Sequence, residues 1–94
     1  MDIVELLKQA AEQGDAAAQY YLGLMYANGK GVAQNNAEAK YWFTLAAYQR
    51  NADAQFYLGL LCDLAQDLAE AVKWYTKAAE QGHKKAQYAL DDMN

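Results

Sequence analysis

The chain has 94 residues, 54% of them hydrophobic, and twelve acidic against eight basic side chains leave a net charge of −4. That hydrophobic fraction supports a folded core, while the acidic balance argues against nucleic acid as a partner, since phosphate binding needs clustered Lys and Arg. The lone cysteine, Cys62, excludes an internal disulfide, and no apolar run reaches the ~18–20 residues that a membrane span requires.

Six helices are predicted in chain order, and the absence of proline suits them. The first spans about 2–13, with Asp2 as N-cap, Glu5 completing a capping box and Gly14 as the stop. Asp15 caps the second, about 16–28, which the glycines of Asn28-Gly29-Lys30-Gly31 break. The third runs about 36–49 from Asn35, with Glu38 in the box position, and the fourth about 52–64. Asp67 opens the fifth, about 68–81, with Glu70 in the box position, and Gly82 ends it before a sixth at about 84–92.

The same sentence is written three times along these helices. Ala10-Ala11-Glu12-Gln13-Gly14-Asp15, leading into Ala18-Gln19-Tyr20-Tyr21-Leu22-Gly23, returns 36 residues on at Ala46 and a further 32 residues on at Ala78. Periods of this size mean stacked helix pairs, each burying its apolar face on a neighbour. The shorter second period reflects the loop from Gly29 to Gln34, which has no counterpart between Asp63 and Asp67. Two helix types alternate. Type A carries Ala-Gln-aromatic-x-Leu-Gly; type B carries Ala-x-x-aromatic-aromatic-x-x-Ala-Ala, as in Ala39, Trp42, Phe43, Ala46 and Ala47. The order is B-A-B-A-B-A, and a small residue mid-helix lets a partner helix approach beside the aromatic pair.

These residues resemble the Sel-one-like repeat family, a relative of the tetratricopeptide repeats, whose pattern is roughly A-x-x-x-L-G-x-x-Y-x-x-G-x-G-V-x-x-D followed by A-x-x-W-Y-x-K-A-A-x-x-G. The first full unit matches at Ala18, Leu22, Gly23, Tyr26, Gly29, Gly31, Val32, Ala39, Trp42, Ala46 and Ala47, with Asn35 in place of Asp. The second keeps Ala54, Leu58, Gly59, Asp67, Ala71, Trp74, Tyr75, Lys77, Ala78, Ala79 and Gly82, but has Cys62 at the tyrosine position and lacks the G-x-G-V loop. The resemblance implies an all-α fold, an α/α superhelical stack over residues 1–94 acting as a protein-interaction adaptor or scaffold, with no catalytic residues and no cofactor. An exported, cysteine-rich branch of the family is linked to β-lactam binding; a small-molecule binder or weak hydrolase of that kind is the alternative, and a structural spacer a third. The single cysteine removes that branch's disulfide framework.

Two surfaces are candidates for a protein or peptide partner. The type A helices of such stacks line one side, so equivalent positions form ladders: Tyr20, Phe56 and Tyr88; Leu24, Leu60 and Asp92; Ala17, Asp53 and Lys85. An aromatic ladder suits a peptide, but the same rings can serve packing between repeats. The second surface lies on the middle B helix. Tyr41, Leu45 and Tyr48 share one helix face, where the flanking B helices carry Glu5, Gln9 and Glu12 or Lys73, Lys77 and Glu80. An outward apolar patch marks an interaction site, self-association to a homodimer being its simplest form; the loop at 29–35 folding over it is the other reading.

The remaining signals are weak. His83 stands at a helix start, has no second histidine with which to bind metal, and fits a capping role. Cys62 occupies a core position suited to an inert thiol. Gly29-Lys30-Gly31 lacks the strand and ending of a phosphate loop. Asp91, at the register of Gly23 and Gly59, reads with Asp2 as the mark of a complete small module, the other reading being an excerpt of a longer array. The N-terminal Met-Asp-Ile-Val-Glu carries no signal-peptide pattern, so the expected compartment is the cytoplasm.

Overall fold

The computed structural model describes residues 1–93. Six helices follow in chain order: α1 Ile3–Glu12, α2 Ala16–Asn28, α3 Asn36–Tyr48, α4 Ala52–Leu64, α5 Leu68–Glu80 and α6 Lys84–Asp92, with no strand among the described residues. Each helix packs chiefly on the next in sequence, giving an α/α stack 46 Å long and 23 by 17 Å across.

Every helix starts on a side-chain cap. Asp2, Asp15, Asn35, Asn51 and Asp67 each accept the backbone N–H three residues ahead, and His83 does so through Nδ1. The capping boxes stay half-formed. Among the described residues no glutamate bonds back to its cap, and Glu38 instead accepts the Trp42 indole N–H at 3.2 Å, one turn along its own helix. Helices α1, α3 and α5 end one residue short of the expected 13, 49 and 81, because Gln13, Gln49 and Gln81 are their C-caps. The next residue is left-handed in all three: Gly14 at φ 99°, Arg50 at 70° and Gly82 at 88°. Arg50 therefore holds a conformation that costs a side-chain-bearing residue about 1 kcal/mol.

The core explains the alternation of helix types. Ala39, Ala46, Ala54, Ala71, Ala78 and Ala86 are wholly buried, which draws the backbones together. At each A-to-B crossing a mid-helix glycine receives a ring: a Cβ on Gly23 would stand 2.6 Å from the Phe43 ring, and one on Gly59 2.7 Å from Tyr75. Both rings are fully buried. Leu22 and Leu58 are buried as well, while Leu90, at the same register of α6, is half-buried. Cys62 is a buried free thiol, and burial raises its pKa above the ordinary value.

Candidate functional site

On the A side of the stack, the ladder Tyr20, Phe56 and Tyr88 splits. Tyr20 is half-buried, with ring centroids 6.2 Å from Phe43 and 6.0 Å from Tyr57. Burial, then the nearby Asp53 charge, pushes its hydroxyl up to about 12. Phe56 is half-buried between Tyr57, Tyr75 and the His83 ring, which stacks on it at 4.9 Å. These two rings act between repeats, as the packing reading expects. Tyr88 is 65% exposed. Leu24 and Leu60 are half-buried against the same core.

A recess opens where this packing runs out. Tyr57, at the start of the second full unit, stacks on Phe43 of the first with centroids 5.5 Å apart and rings inclined by 17°. The same register of α6 holds Ala89, so Tyr75, the counterpart of Phe43, meets a methyl group instead of a ring. The result is a cavity of about 530 Å³ lined by Phe56, Leu60, Asp63, Tyr75, Lys85 and Tyr88, together with Ala89, Asp92 and Met93. Three sequence candidates thus converge there. Its floor is polar at one point: the Tyr75 hydroxyl donates to Asp63 Oδ2 at 3.2 Å. Burial first, then the Asp63 charge and this bond, push that hydroxyl up to about 12.

The B side carries the second surface. Tyr41 is 56% and Tyr48 70% exposed. Tyr41 meets Trp42 edge-on at 4.9 Å, and Tyr48 meets Trp74 at 5.3 Å across the repeat boundary. Lys73 and Lys77 hold their ammonium groups 5.3 and 5.9 Å from the Trp74 ring. Leu45 is half-buried against Trp42, Ala11, Ala18 and Leu22, so the patch is two tyrosines around a partly covered leucine. The 29–35 loop leaves both tyrosines open; its Gly31 sits instead against Met25 and Val4.

Sequence reasoning missed a repeated amide relay. Buried Gln19 donates from Nε2 to the Ala11 carbonyl at 3.0 Å, and Gln49 donates to Gln19 Oε1 and to the Gly14 carbonyl, each at 2.9 Å. One unit on, buried Gln55 donates to the Ala47 carbonyl at 3.1 Å, and Gln81 donates to Gln55 Oε1 at 2.9 Å and to the Arg50 carbonyl at 3.0 Å. The recurrence of both glutamines at the repeat spacing was the available signal. His83 is equally committed: Nδ1 accepts from the Ala86 N–H at 3.2 Å, which leaves the Nε2 proton for Asp53 Oδ1 at 2.9 Å. No cluster of three or more His, Cys, Asp or Glu side chains suited to a metal occurs among the described residues.

The Sel1 repeat family model matches residues 4–15, 16–51 and 52–83. The chain belongs to the Sel1 repeat family. Sel1 repeats are generally protein–protein interaction modules. Among curated relatives, the localization factor PodJL of Caulobacter vibrioides is 58% identical over 40 residues, covering 42% of this chain and 4% of its own length. A putative sel1-like repeat-containing protein of Acanthamoeba polyphaga mimivirus is 41% identical over 54 residues, covering 57% of this chain and 10% of its own. Among solved structures, a Sel1 repeat protein from Oxalobacter formigenes superposes with a TM-score of 0.92 at 39% identity, over 94% of this chain and 27% of that one. A protective antigen of uropathogenic Escherichia coli with an SLR fold gives 0.89 at 34% identity, over 93% of this chain and 20% of that one. The chain therefore spans a tenth or less of these curated relatives and about a quarter or less of these solved chains. No helix among the described residues is long and apolar enough to cross a membrane.

Proposed function

We propose that this Sel1 repeat chain is a non-enzymatic docking module whose A side holds a peptide or protein segment by a bulky apolar anchor. The observation that carries this reading is the cavity at Ala89, where Phe56, Leu60 and Tyr88 surround space that a tyrosine fills one unit earlier. An inserted side chain would meet aromatic rings and the Leu60 side chain, with Asp63, Asp92 and Lys85 in the lining to orient polar flanks. Flat aromatic walls of this kind gain contact area at low entropic cost. The localization role in the name of PodJL belongs to that protein; it favours an adaptor here without naming what is bound.

The hydrolase alternative finds little support in the geometry. Both His83 nitrogens are engaged in hydrogen bonds, and the Cys62 thiol is buried and held protonated, whereas nucleophilic catalysis needs an accessible nucleophile beside a base.

Tyr41 and Tyr48 offer a second docking face. Their exposure on the side opposite in type to the cavity favours a separate contact over an extension of the first.

Selection of a displayed peptide library against the pure protein tests the cavity directly. Ala89→Tyr restores the ring of the earlier unit and should keep the fold while weakening any selected peptide at least about tenfold. Tyr41→Lys with Tyr48→Glu should leave that affinity unchanged. Peptides that bind wild type and Ala89→Tyr equally would overturn the reading, as would turnover of a chromogenic β-lactam by the pure protein.

A further inference from the structure

The four residues by which the second period falls short of the first are lost from one place. In the first unit the Asn35 N–H donates to the Tyr26 carbonyl at 2.9 Å, and at the same registers of the second the Asp67 N–H donates to the Cys62 carbonyl at 2.9 Å. The two connections are thus closed alike, and they differ only in what stands between these bonds. We infer that the groove left open by this difference, between the start of α3 and the end of α4, takes an acidic, glycine-bearing loop of a partner protein. The groove shares no lining residue with the cavity at Ala89. Both of its walls lie inside the stack, each packed on the helix before it and the helix after it.

The first unit shows what such a groove holds. There the loop from Gly29 to Gln34 lies on the stack instead of standing away from it. The Lys30 N–H donates to the Met25 carbonyl at 3.0 Å. Gly31 then comes so close to α1 and α2 that a Cβ on it would stand 3.0 Å from both Val4 Cγ2 and Met25 Cε. Its backbone is left-handed, with φ at 76°. Space and conformation therefore both ask for glycine at this point, and Val32 beside it is half-buried. A main-chain turn with one glycine and one aliphatic neighbour is what fills the angle between a B helix and the end of the A helix after it.

The second unit has both helices of this angle and no loop to fill it. Leu61 takes the register of Met25, and Lys40 that of Val4. With the turn at 65–67 leading straight into α5, a groove of about 340 Å³ remains, lined by Asn36, Ala37, Lys40, Leu61, Leu64 and Ala65. Leu64 is 72% exposed, and it stands where the filled groove has Asn28. Contiguous apolar lining of this kind marks a contact.

The change from Val4 to Lys40 sets the charge of the occupant. The side chain that touches Gly31 in the first unit is replaced by an ammonium group, so the segment seated here needs a carboxylate beside its glycine. Lys40 has no ion-pair partner among the described residues, where His83–Asp53 is the one pair. The adjoining turn does carry Asp67, but that carboxylate accepts the Glu70 N–H as the cap of α5. Asn36 at the rim accepts from Gln34 Nε2 at 2.6 Å, which leaves its own amide N–H groups for a main-chain oxygen of the incoming loop.

A displayed library of ring-closed loops, matching residues 28–35 in length and free at every position, is the probe. Selection on the whole chain should yield loops that carry a glycine, an aliphatic neighbour and an Asp or Glu. Leu64→Glu, at an exposed position, should weaken them at least about tenfold with helical content unchanged. Lys40→Glu should do the same and, used as the target, should select Lys or Arg in place of the acid. Exchanging Ala65-Gln66 for the sequence of residues 29–34, which gives the second unit the loop of the first, should block them altogether. Ala89→Tyr should bind them as wild type does, which separates this groove from the cavity. A library that yields no loop sensitive to Leu64→Glu would overturn the inference. So would loops that bind Lys40→Glu as tightly as wild type, loops that still bind the grafted chain, or a dimer of the chain lost on Leu64→Glu, since the occupant would then be a second copy.

Discussion

Tyr57 and Ala89 occupy one register in neighbouring A helices, yet their surroundings differ throughout. Around Tyr57 the seam is closed: Phe43 lies under Gly23 and stacks on Tyr57, Tyr20 fills the remaining side, and the Gln19–Gln49 pair ties off the backbone. Around Ala89 it is open. Asp91 replaces the glycine, Tyr75 lacks a stacking partner at 89, Tyr88 faces outward, and Gln87 bonds only within its own helix. Among the described residues, a side chain in a Sel1 unit is thus covered or exposed according to whether another helix packs on it, even when its identity and register are the same, as for Tyr20 and Tyr88.

The sharpest way to break this comparison is to make the same change in both regions. Gly23→Ala puts a carbon 2.6 Å from a ring that has nowhere to go. It should cost about 1–3 kcal/mol despite the ~1 kcal/mol gain in helix propensity. Asp91→Ala should cost nothing measurable. Denaturant unfolding of both variants checks this, and adding Phe43→Leu to Gly23→Ala should recover part of the loss.

Next in size is the relay. Gln55→Leu removes two hydrogen bonds, the one to the Ala47 carbonyl, which keeps the Arg50 N–H, and the one from Gln81, with an expected loss of about 2 kcal/mol. Gln87→Leu, on the open side, should stay within about 0.5 kcal/mol of wild type in the same melts. Equal effects at the two positions would refute the assignment of Gln55 to the seam.

A pH series probes the floor of the open region by another route. The fold favours the protonated Tyr75 hydroxyl, whose pKa rises from the ordinary tyrosine value of about 10 to about 12. Its contribution is therefore complete below about pH 10 and is lost as pH climbs toward about 12. Tyr75→Phe should lower stability at neutral pH by about 1 kcal/mol and flatten its decline across that alkaline window. Tyr88→Phe, at an exposed ring, should leave stability at neutral pH unchanged.

The smallest expected effect lies at the left-handed positions. Arg50→Gly relieves a φ of 70° and should stabilise the chain by about 0.5–1 kcal/mol, measured as a rise in melting temperature. Gly14→Arg, the reverse exchange in the first unit, should lower it.

Much of the fold was legible because repeated side chains constrain one another. A glycine followed twenty residues later by Phe43, and another followed sixteen residues later by Tyr75, announce a close crossing at a fixed register. The roles of polar residues were harder to read. Gln19 and Gln55 carry the motif, but spacing does not tell where an amide points, so the relay emerged only with the carbonyls in place. The same limit applies to the boxes, where Glu38 turned to Trp42 instead of to its cap. Among the candidate residues, Tyr41 and Tyr48 stand outward as the comparison between helices expects, whereas Leu45 is partly covered, since its turn of helix also meets the first unit. The cavity went unseen because it comes from a missing ring. Comparing Tyr21, Tyr57 and Ala89 down the register would have revealed it. Leu64 and Leu68, exposed beside the tight turn at 65–67, mark another site where the shortened period leaves apolar surface bare.

The amide relay also bears on how the molecule moves. Since Gln49 and Gln81 each hold a glutamine of the facing helix and a main-chain oxygen of the preceding unit, one unit cannot hinge on its neighbour without breaking these amide bonds. Flexing is resisted at both boundaries, so this short Sel1 stack should behave as a stiff rod and not as a spring, holding its A and B surfaces at a fixed angle to one another.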